Sequence, residues 1–249
     1  MKVLPVSLDR IVPSASRLCL FAMGVGLIAT VAGCPGASPK ASVDQPEGEV
    51  AISDLSDLEN DDFVPEDGFR LLTVADFDHF PADAESWSEV GKTIICNGSP
   101  KGYAYTREPF ENFTLRCVFR YVPQGAPPDA EAAEKFNTGF MLYIQEPHKT
   151  WPLSLEVQGR MDEIGSVKGN GGASATGVYD DPVGRRESRR PVGQWNEIEI
   201  VCNNGAVLSK LNGVNISTCQ PSGLTSGPLG LQSEGFEVHF KHLRVRVED

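Results

Sequence analysis

From Arg70 to the C-terminus the sequence predicts an all-β fold, two facing sheets or a barrel in one domain. Three observations predict it. Apolar and polar residues alternate with a period of two through nearly every run, turn residues separate short runs, and helical periodicity is almost absent. Asn112 to Val122 alternates cleanly, and Gly139 to Gln145 is an apolar run suited to a central strand. Trp195 to Cys202, Ala206 to Leu211 and Val214 to Thr218 follow as three strands. They are joined at Asn203-Asn204-Gly205 and Asn212-Gly213, hairpin signals because both residues of that turn need positive φ. In the last stretch Phe236, Val238 and Phe240 share one phase and Leu243, Val245 and Val247 the other, so a one-residue bulge is expected near Lys241. Only Pro128 to Phe136 reads as a short helix or loop insertion.

The stretch Trp151 to Asp162 carries the chemistry. Leu153, Leu155 and Val157 alternate with Ser154, Glu156 and Gln158, and side chains two apart on a strand share a face. If the strand runs on, Arg160 and Asp162 join that row. A half-buried strand normally presents one polar face to solvent, so the row by itself is compatible with an ordinary surface.

The amino end is an extension. Lys2, Arg10 and Arg17 precede an apolar run from Leu18 to Val31, the arrangement of a secretory signal, and the run is short for a membrane span. It ends in Val31-Ala32-Gly33-Cys34, which resembles the lipobox of bacterial lipoproteins, where cleavage precedes a lipid-bearing cysteine. Residues 1–33 thus read as a signal peptide, 34–67 as an acidic tether beginning at lipidated Cys34, and 68–249 as the folded domain. The expected location is the cell envelope, with a membrane partner reached through the lipid.

Residues 41–69 hold ten acidic residues and no Lys or Arg, a composition that predicts a flexible spacer. Most of the formal charge of −12 lies there. From Arg70 onward there are 18 basic and 23 acidic residues with no basic stripe, which argues against nucleic acid as a partner. Of six cysteines, Cys96, Cys117, Cys202 and Cys219 fall in the domain. Cys117 and Cys202 are in phase with core positions, and free thiols and disulfides both remain open. No pair has zinc-site spacing. Glycine-rich Lys168 to Gly177 lacks the ending of a phosphate loop and reads as a mobile loop or lid. Arg185, Arg186, Arg189 and Arg190 read as a solvated basic loop, Trp195 as a core residue and His239 as surface.

A series of short motifs, in order, resembles the 3-keto-disaccharide hydrolase domain family. They are Gly68-Phe69-Arg70-Leu71-Leu72, Gly102-Tyr103 with Thr106, and Phe110-Glu111-Asn112-Phe113. Asn137-Thr138-Gly139 and Trp151-Pro152 with Glu156-Val157-Gln158 come next. Gly193-Gln194-Trp195-Asn196, Leu211-Asn212-Gly213 and Gly230-Leu231-Gln232-Ser233-Glu234-Gly235 complete the series. The resemblance implies a concanavalin A-like jelly-roll β-sandwich of antiparallel sheets. It also implies a carbohydrate-active hydrolase that cleaves 3-keto-glycosides, with a glycan or oligosaccharide as substrate.

In that chemistry a C3 ketone acidifies the C2 proton, a base removes it, the C1 substituent leaves, and water adds to the enone. The resemblance places Glu156 and Gln158 in the site. Facing and chemistry add Glu156 as base or metal-binding carboxylate, Gln158 on sugar hydroxyls, Arg160 at an enolate, and Asp162 as acid or metal ligand. Asn137 and Glu234 are further candidates for substrate contacts. Some family members carry His near Glu234, which this chain lacks. No cofactor is assigned, and a divalent metal is left open. A retaining glycosidase would need a second carboxylate close to the first, and Gln158 stands where such folds commonly place one, so double displacement is disfavoured. The alternative is a non-catalytic glycan-binding module of the envelope. A chemically useful partner for Glu156 on its own face, Asp162 or Glu234, would separate the two readings.

Overall fold

The computed structural model describes residues 55–248. Cys34, the signal segment 1–33 and the tether up to residue 54 lie outside the described residues. In chain order the strands are β1 (Arg70–Leu71), β2 (Phe77–Phe80), β3 (Trp87–Val90), β4 (Thr93–Cys96), β5 (Gly102–Thr106), β6 (Phe113–Val122), β7 (Gly139–Leu142) and β8 (Ser154–Gln158). They continue with β9 (Val167–Asn170), β10 (Thr176–Asp180), β11 (Asn196–Asn203), β12 (Ala206–Leu211), β13 (Val214–Gln220), β14 (Gly230–Ser233) and β15 (Glu237–Val247). Three short α-helices, α1 (Ser56–Glu59), α2 (Ala130–Ala133) and α3 (Pro182–Ser188), and a 3-10 turn at Val74–Asp76 complete the described residues.

The strands form two antiparallel sheets. The larger runs β10-β13-β12-β11-β6-β15-β4-β3, with β1 also pairing β15; the smaller runs β2-β5-β14-β7-β8-β9. This is the jelly-roll β-sandwich class expected. Alternation builds the core. Phe113, Leu115, Cys117, Phe119 and Tyr121 of β6 point inward with Ile198, Ile200 and Cys202 of β11, and they meet Phe140, Leu155, Val157 and Leu231 of the smaller sheet. Phe119 sets its edge against Phe140 with ring centroids 5.4 Å apart, locking sheet to sheet. Positive φ at Asn204 and Gly205, and at Asn212 and Gly213, makes the two tight hairpins. In β15 the partner on β6 advances two residues while β15 advances three between Lys241 and Arg244, and His242 has φ 54°. The bulge lets both apolar phases face inward.

Several expectations are corrected. The acidic stretch before Gly68 is not spacer throughout, because from Leu58 onward it is strapped to the outer face of the larger sheet. Leu58 is buried. Asp61 meets His242 Nε2 at 2.5 Å and Lys241 Nζ at 3.3 Å. Phe63 stacks on His242 with centroids 3.8 Å apart. Glu66 accepts from Arg244 Nε at 2.6 Å and Nη2 at 2.8 Å, and from Arg116 Nη1 at 3.1 Å. Charge counted within the segment misses these cations, which arrive from strands far along the chain. His239 is likewise buried rather than surface, because it lies on this covered face, hydrogen-bonded to Glu237 at 2.9 Å.

Lys168 to Gly177 is half strand, the end of β9 and the start of β10, with the crossing between sheets at residues 171–175. Its glycines serve close approach: a Cβ on Gly169 would stand 2.0 Å from Ala173 O. Arg185 and Arg189 of the arginine cluster are staples on and after α3, whereas Arg186 is exposed. Arg185 is buried, pairs with Asp180 and donates to Ile164 O at 2.9 Å, and Arg189 Nη1 reaches Glu134 at 2.6 Å. Trp195 lies outside the core, half-buried under Arg120, whose guanidinium carbon is 4.3 Å from the ring centroid. All four domain cysteines are buried free thiols.

Candidate functional site

The outer face of the smaller sheet is built in ladders. One runs Asp78, Tyr105, Gly230, Met141, Glu156, Lys168, through the pairings of β2, β5, β14, β7, β8 and β9. The next runs Phe80, Tyr103, Gln232, Gly139, Gln158; Gly230 opposite Met141 and Leu231 opposite Phe140 set the register that brings Gln232 to Gly139. Beyond the strand ends, Gly159 N donates to Thr138 O at 2.9 Å and Met161 N to Phe136 O at 3.0 Å, so the β7–β8 pairing continues and Asn137 stands opposite Arg160.

One half of this face is apolar. Tyr103, Met141 and Ile144 form a cluster of their own, with Phe80 and Tyr105 against it. His148 stacks on Tyr105 at 4.1 Å between centroids and shares a 2.8 Å hydrogen bond between Nδ1 and Tyr103 Oη.

The other half centres on Glu156, which is 8 % exposed. Neighbouring strands lie about 4.8 Å apart, so Glu156 and Gln232, two strands apart, must lean together across β7 to meet. Gly139 permits it. A Cβ there would stand 2.3 Å from Gln232 Oε1 and 2.7 Å from Glu156 Oε1. Burial pushes the Glu156 carboxyl up to about 7; the Gln232 amide and Lys168 favour its charged form, while Glu234 and Glu163 oppose it.

Glu234, its side chain 9 % exposed, has Lys101 Nζ at 3.5 Å. Burial raises its carboxyl too, with Lys101 pulling the other way. The two carboxylates therefore raise the cost of ionising together, as neighbouring acids do.

The remaining candidates are placed as follows. Gln158 lies on the Glu156 face and accepts the Arg160 N–H at 2.8 Å. The regular strand ends at Gln158; Arg160 keeps its place opposite Asn137, but its guanidinium is turned to Asp162 and neither is available to the row. They enter a tight turn in which Arg160 Nε and Nη2 grip Asp162 at 2.6 and 2.9 Å, and Nη2 also reaches Glu163 at 2.7 Å. Asp162 is spent on Arg160, and it is Glu234, not Asp162, that shares the field of Glu156. Asn137 is beside Gly139 on the same face, its Oδ1 buried.

Sequence reasoning did not single out Lys168 or Gln232. Lys168 is opposite Glu156 with Nζ 2.6 Å from Glu163, and it was hidden inside the glycine-rich run. Gln232 was quoted only as part of a motif. The signal for it was phase, two residues after Gly230 and two before Glu234, but the strand partner it needs is ninety residues upstream.

A profile of the 3-keto-α-glucoside-1,2-lyase-like domain family matches residues 72–246, more than two thirds of the chain. The chain belongs to this family. No curated protein matches it. Among solved structures, a candidate glycosyl hydrolase from Parabacteroides distasonis is 19 % identical, covers 66 % of this chain and 91 % of its own, and superposes with a TM-score of 0.49. A carbohydrate-binding module from Bacillus subtilis is 12 % identical, with coverage of 69 % and 95 % and a TM-score of 0.49. The family is a carbohydrate-related one.

Within this family member the donor set offers little to a metal. Among the described residues no group of three or more His, Cys, Asp or Glu converges closely enough to hold one. The pair left open as ligands, Glu156 and Asp162, do not come together.

Proposed function

We propose that the domain cleaves 3-keto-glycosides by elimination across C1–C2, with Glu156 as the base. The observation that carries this reading is a buried carboxyl held near neutrality on an open sheet face with amides and a second acid around it. A general base works best when its pKa lies near the working pH. Ionised Glu156 takes the C2 proton, and the C2–H pair becomes the enolate of the C3 ketone. The enolate re-forms the carbonyl, C1=C2 closes, and the C1–O bond breaks with its electrons going to the departing sugar oxygen, which takes up a proton. Water then adds across C1=C2, its hydroxyl to C1 and a proton to C2, and the net change is hydrolysis. Glu234, raised by burial, is the group on this face suited to hold the proton the leaving oxygen needs.

The test incubates the full chain with a 3-keto-disaccharide in D2O. Deuterium entering C2 and release of free sugar, both absent in Glu156→Gln, support the reading. Cleavage unaffected by that substitution removes Glu156 from the mechanism.

The second reading is a glycan-binding module, favoured by Lys101 and Lys168 already being paired with Glu234 and Glu163. Retained sugar binding with no C2 exchange in the wild type selects it. We further infer that the protein is exported to the cell envelope and anchored through Cys34; failure of Cys34 to take up labelled fatty acid in cells, compared with Cys34→Ser, would remove the anchor.

A further inference from the structure

Three carboxamides share the sheet face of Glu156, and they do not present the same end. Gln158 has its oxygen committed to Arg160 N at 2.8 Å, so its NH2 is the end left over. Gln232, 1 % exposed, leans over Gly139 to Glu156 and favours the carboxylate by hydrogen bonding through its NH2. Its Oε1 is buried with no donor among the described residues. Asn137 Oδ1 is buried without a donor as well.

Among the described residues these are the two buried carboxamide oxygens so placed, and they fall on adjacent strands of one face. Residues placed diagonally across paired strands are roughly 7–8 Å apart, about the span of a pyranose with its hydroxyls. Leaving a buried acceptor unmade is unfavourable, and native proteins keep such groups chiefly where something else completes them.

We propose that Gln232 Oε1 and Asn137 Oδ1 accept hydrogen bonds from two hydroxyls of the ligand sugar, while Gln158 Nε2 donates to its carbonyl oxygen, so that the three amides fix which way round a keto-sugar lies over Glu156. A ketone brings no proton and cannot satisfy either orphan acceptor, so it is directed to the Gln158 side. A hydroxyl can satisfy them, so the protonated positions of the ring are directed to the Gln232 and Asn137 side. The inference rests on the reading of Glu156 as the base of a keto-glycoside site, and it names the residues that set specificity there. A site built around such acceptors rejects an analogue that lacks the hydroxyl far more strongly than one that lacks a methylene.

The experiment uses the full chain with methyl 3-keto-α-glucoside and its 2-, 4- and 6-deoxy analogues, reading both cleavage and calorimetric binding. In the wild type two of the three deletions are expected to weaken binding about tenfold or more. Gln232→Met is expected to lose the same factor on the parent sugar and to show no further loss on one deoxy analogue. Asn137→Leu is expected to do so on a different one. A purely structural role would lower binding of every analogue alike, and that outcome, or indifference of the wild type to all three deletions, overturns the proposal. The wild-type series needs no variant to fold. Cleavage without hydroxyl discrimination sinks this proposal and leaves the function standing, whereas discrimination in binding without cleavage does the reverse.

Discussion

Gln232 and Glu156 lie on strands that do not touch, β14 and β8, yet their side-chain oxygens both stand over the α-carbon of Gly139 on the strand between. Gly139→Ala should therefore strike the site and spare the fold. The atoms nearest the new methyl are the ends of two side chains, so the strand persists while Glu156 and Gln232 are forced apart. Expected are a loss of activity of about tenfold or more and a melting temperature within a few degrees of wild type. A variant that is fully active would mean that the two side chains do not need to meet.

Glu156→Gln should stabilise the domain. The folded-state carboxyl, at about 7, lies above its ordinary value of 4.5, so folding takes up a proton between those values. Stability contributed by the neutral acid is fully present below about pH 4.5 and falls as pH rises to about 7. Above that the native state carries a buried charge at a cost on the order of 3 kcal/mol, an upper figure. Denaturant melts at pH 4 and pH 8 check this. The variant should match wild type at the lower pH and exceed it at the higher.

The rate of C2 exchange should follow the same group. Activity of the wild type is expected to rise with pH through an apparent pKa near 7 as Glu156 ionises. Lys168→Met removes a cation that favours the charged form, so its profile should shift to higher pH. A profile unmoved by that substitution would uncouple Lys168 from the base.

The strap should loosen in acid. Arg244 holds the Glu66 carboxyl down at about 2, so its contribution is present above about pH 4.5 and is lost as pH falls toward 2. Hydrogen exchange of the 61–69 amides should accelerate over that window, and Glu66→Gln should show the faster exchange already at neutral pH. Exchange equally slow in the variant would assign the docking to Leu58, Asp61 and Phe63 instead.

Much of the fold is legible in local pattern because the information is local. Alternation marks β6, β8 and β11 to β13, Asn-Gly marks the turns, and a change of phase marks the β15 bulge. The site is only half legible. The phase of Glu156 and Gln158 puts both on one face, but where the strand stops decides the fate of Arg160 and Asp162, and nothing in their spacing announces the turn. Gln232, Lys168 and the acidic strap were missed for one reason. Each is defined by a partner brought in through cross-strand register, and register belongs to the assembled sheet. Glycine misled in the same way: the run from Lys168 to Gly177 looks like loop by composition, whereas Gly169 and Gly171 answer to backbones that pass close by.

β15 is the last strand in the chain, and it is held on one side by β6 and on the other by β4 and then β1. Its side chains also receive the strap through Lys241, His242 and Arg244. The strap and the middle of the larger sheet thus both depend on residues 237–247. That sheet closes through pairings between residues far apart in sequence, the kind of contact whose loop-closure entropy makes folding slow.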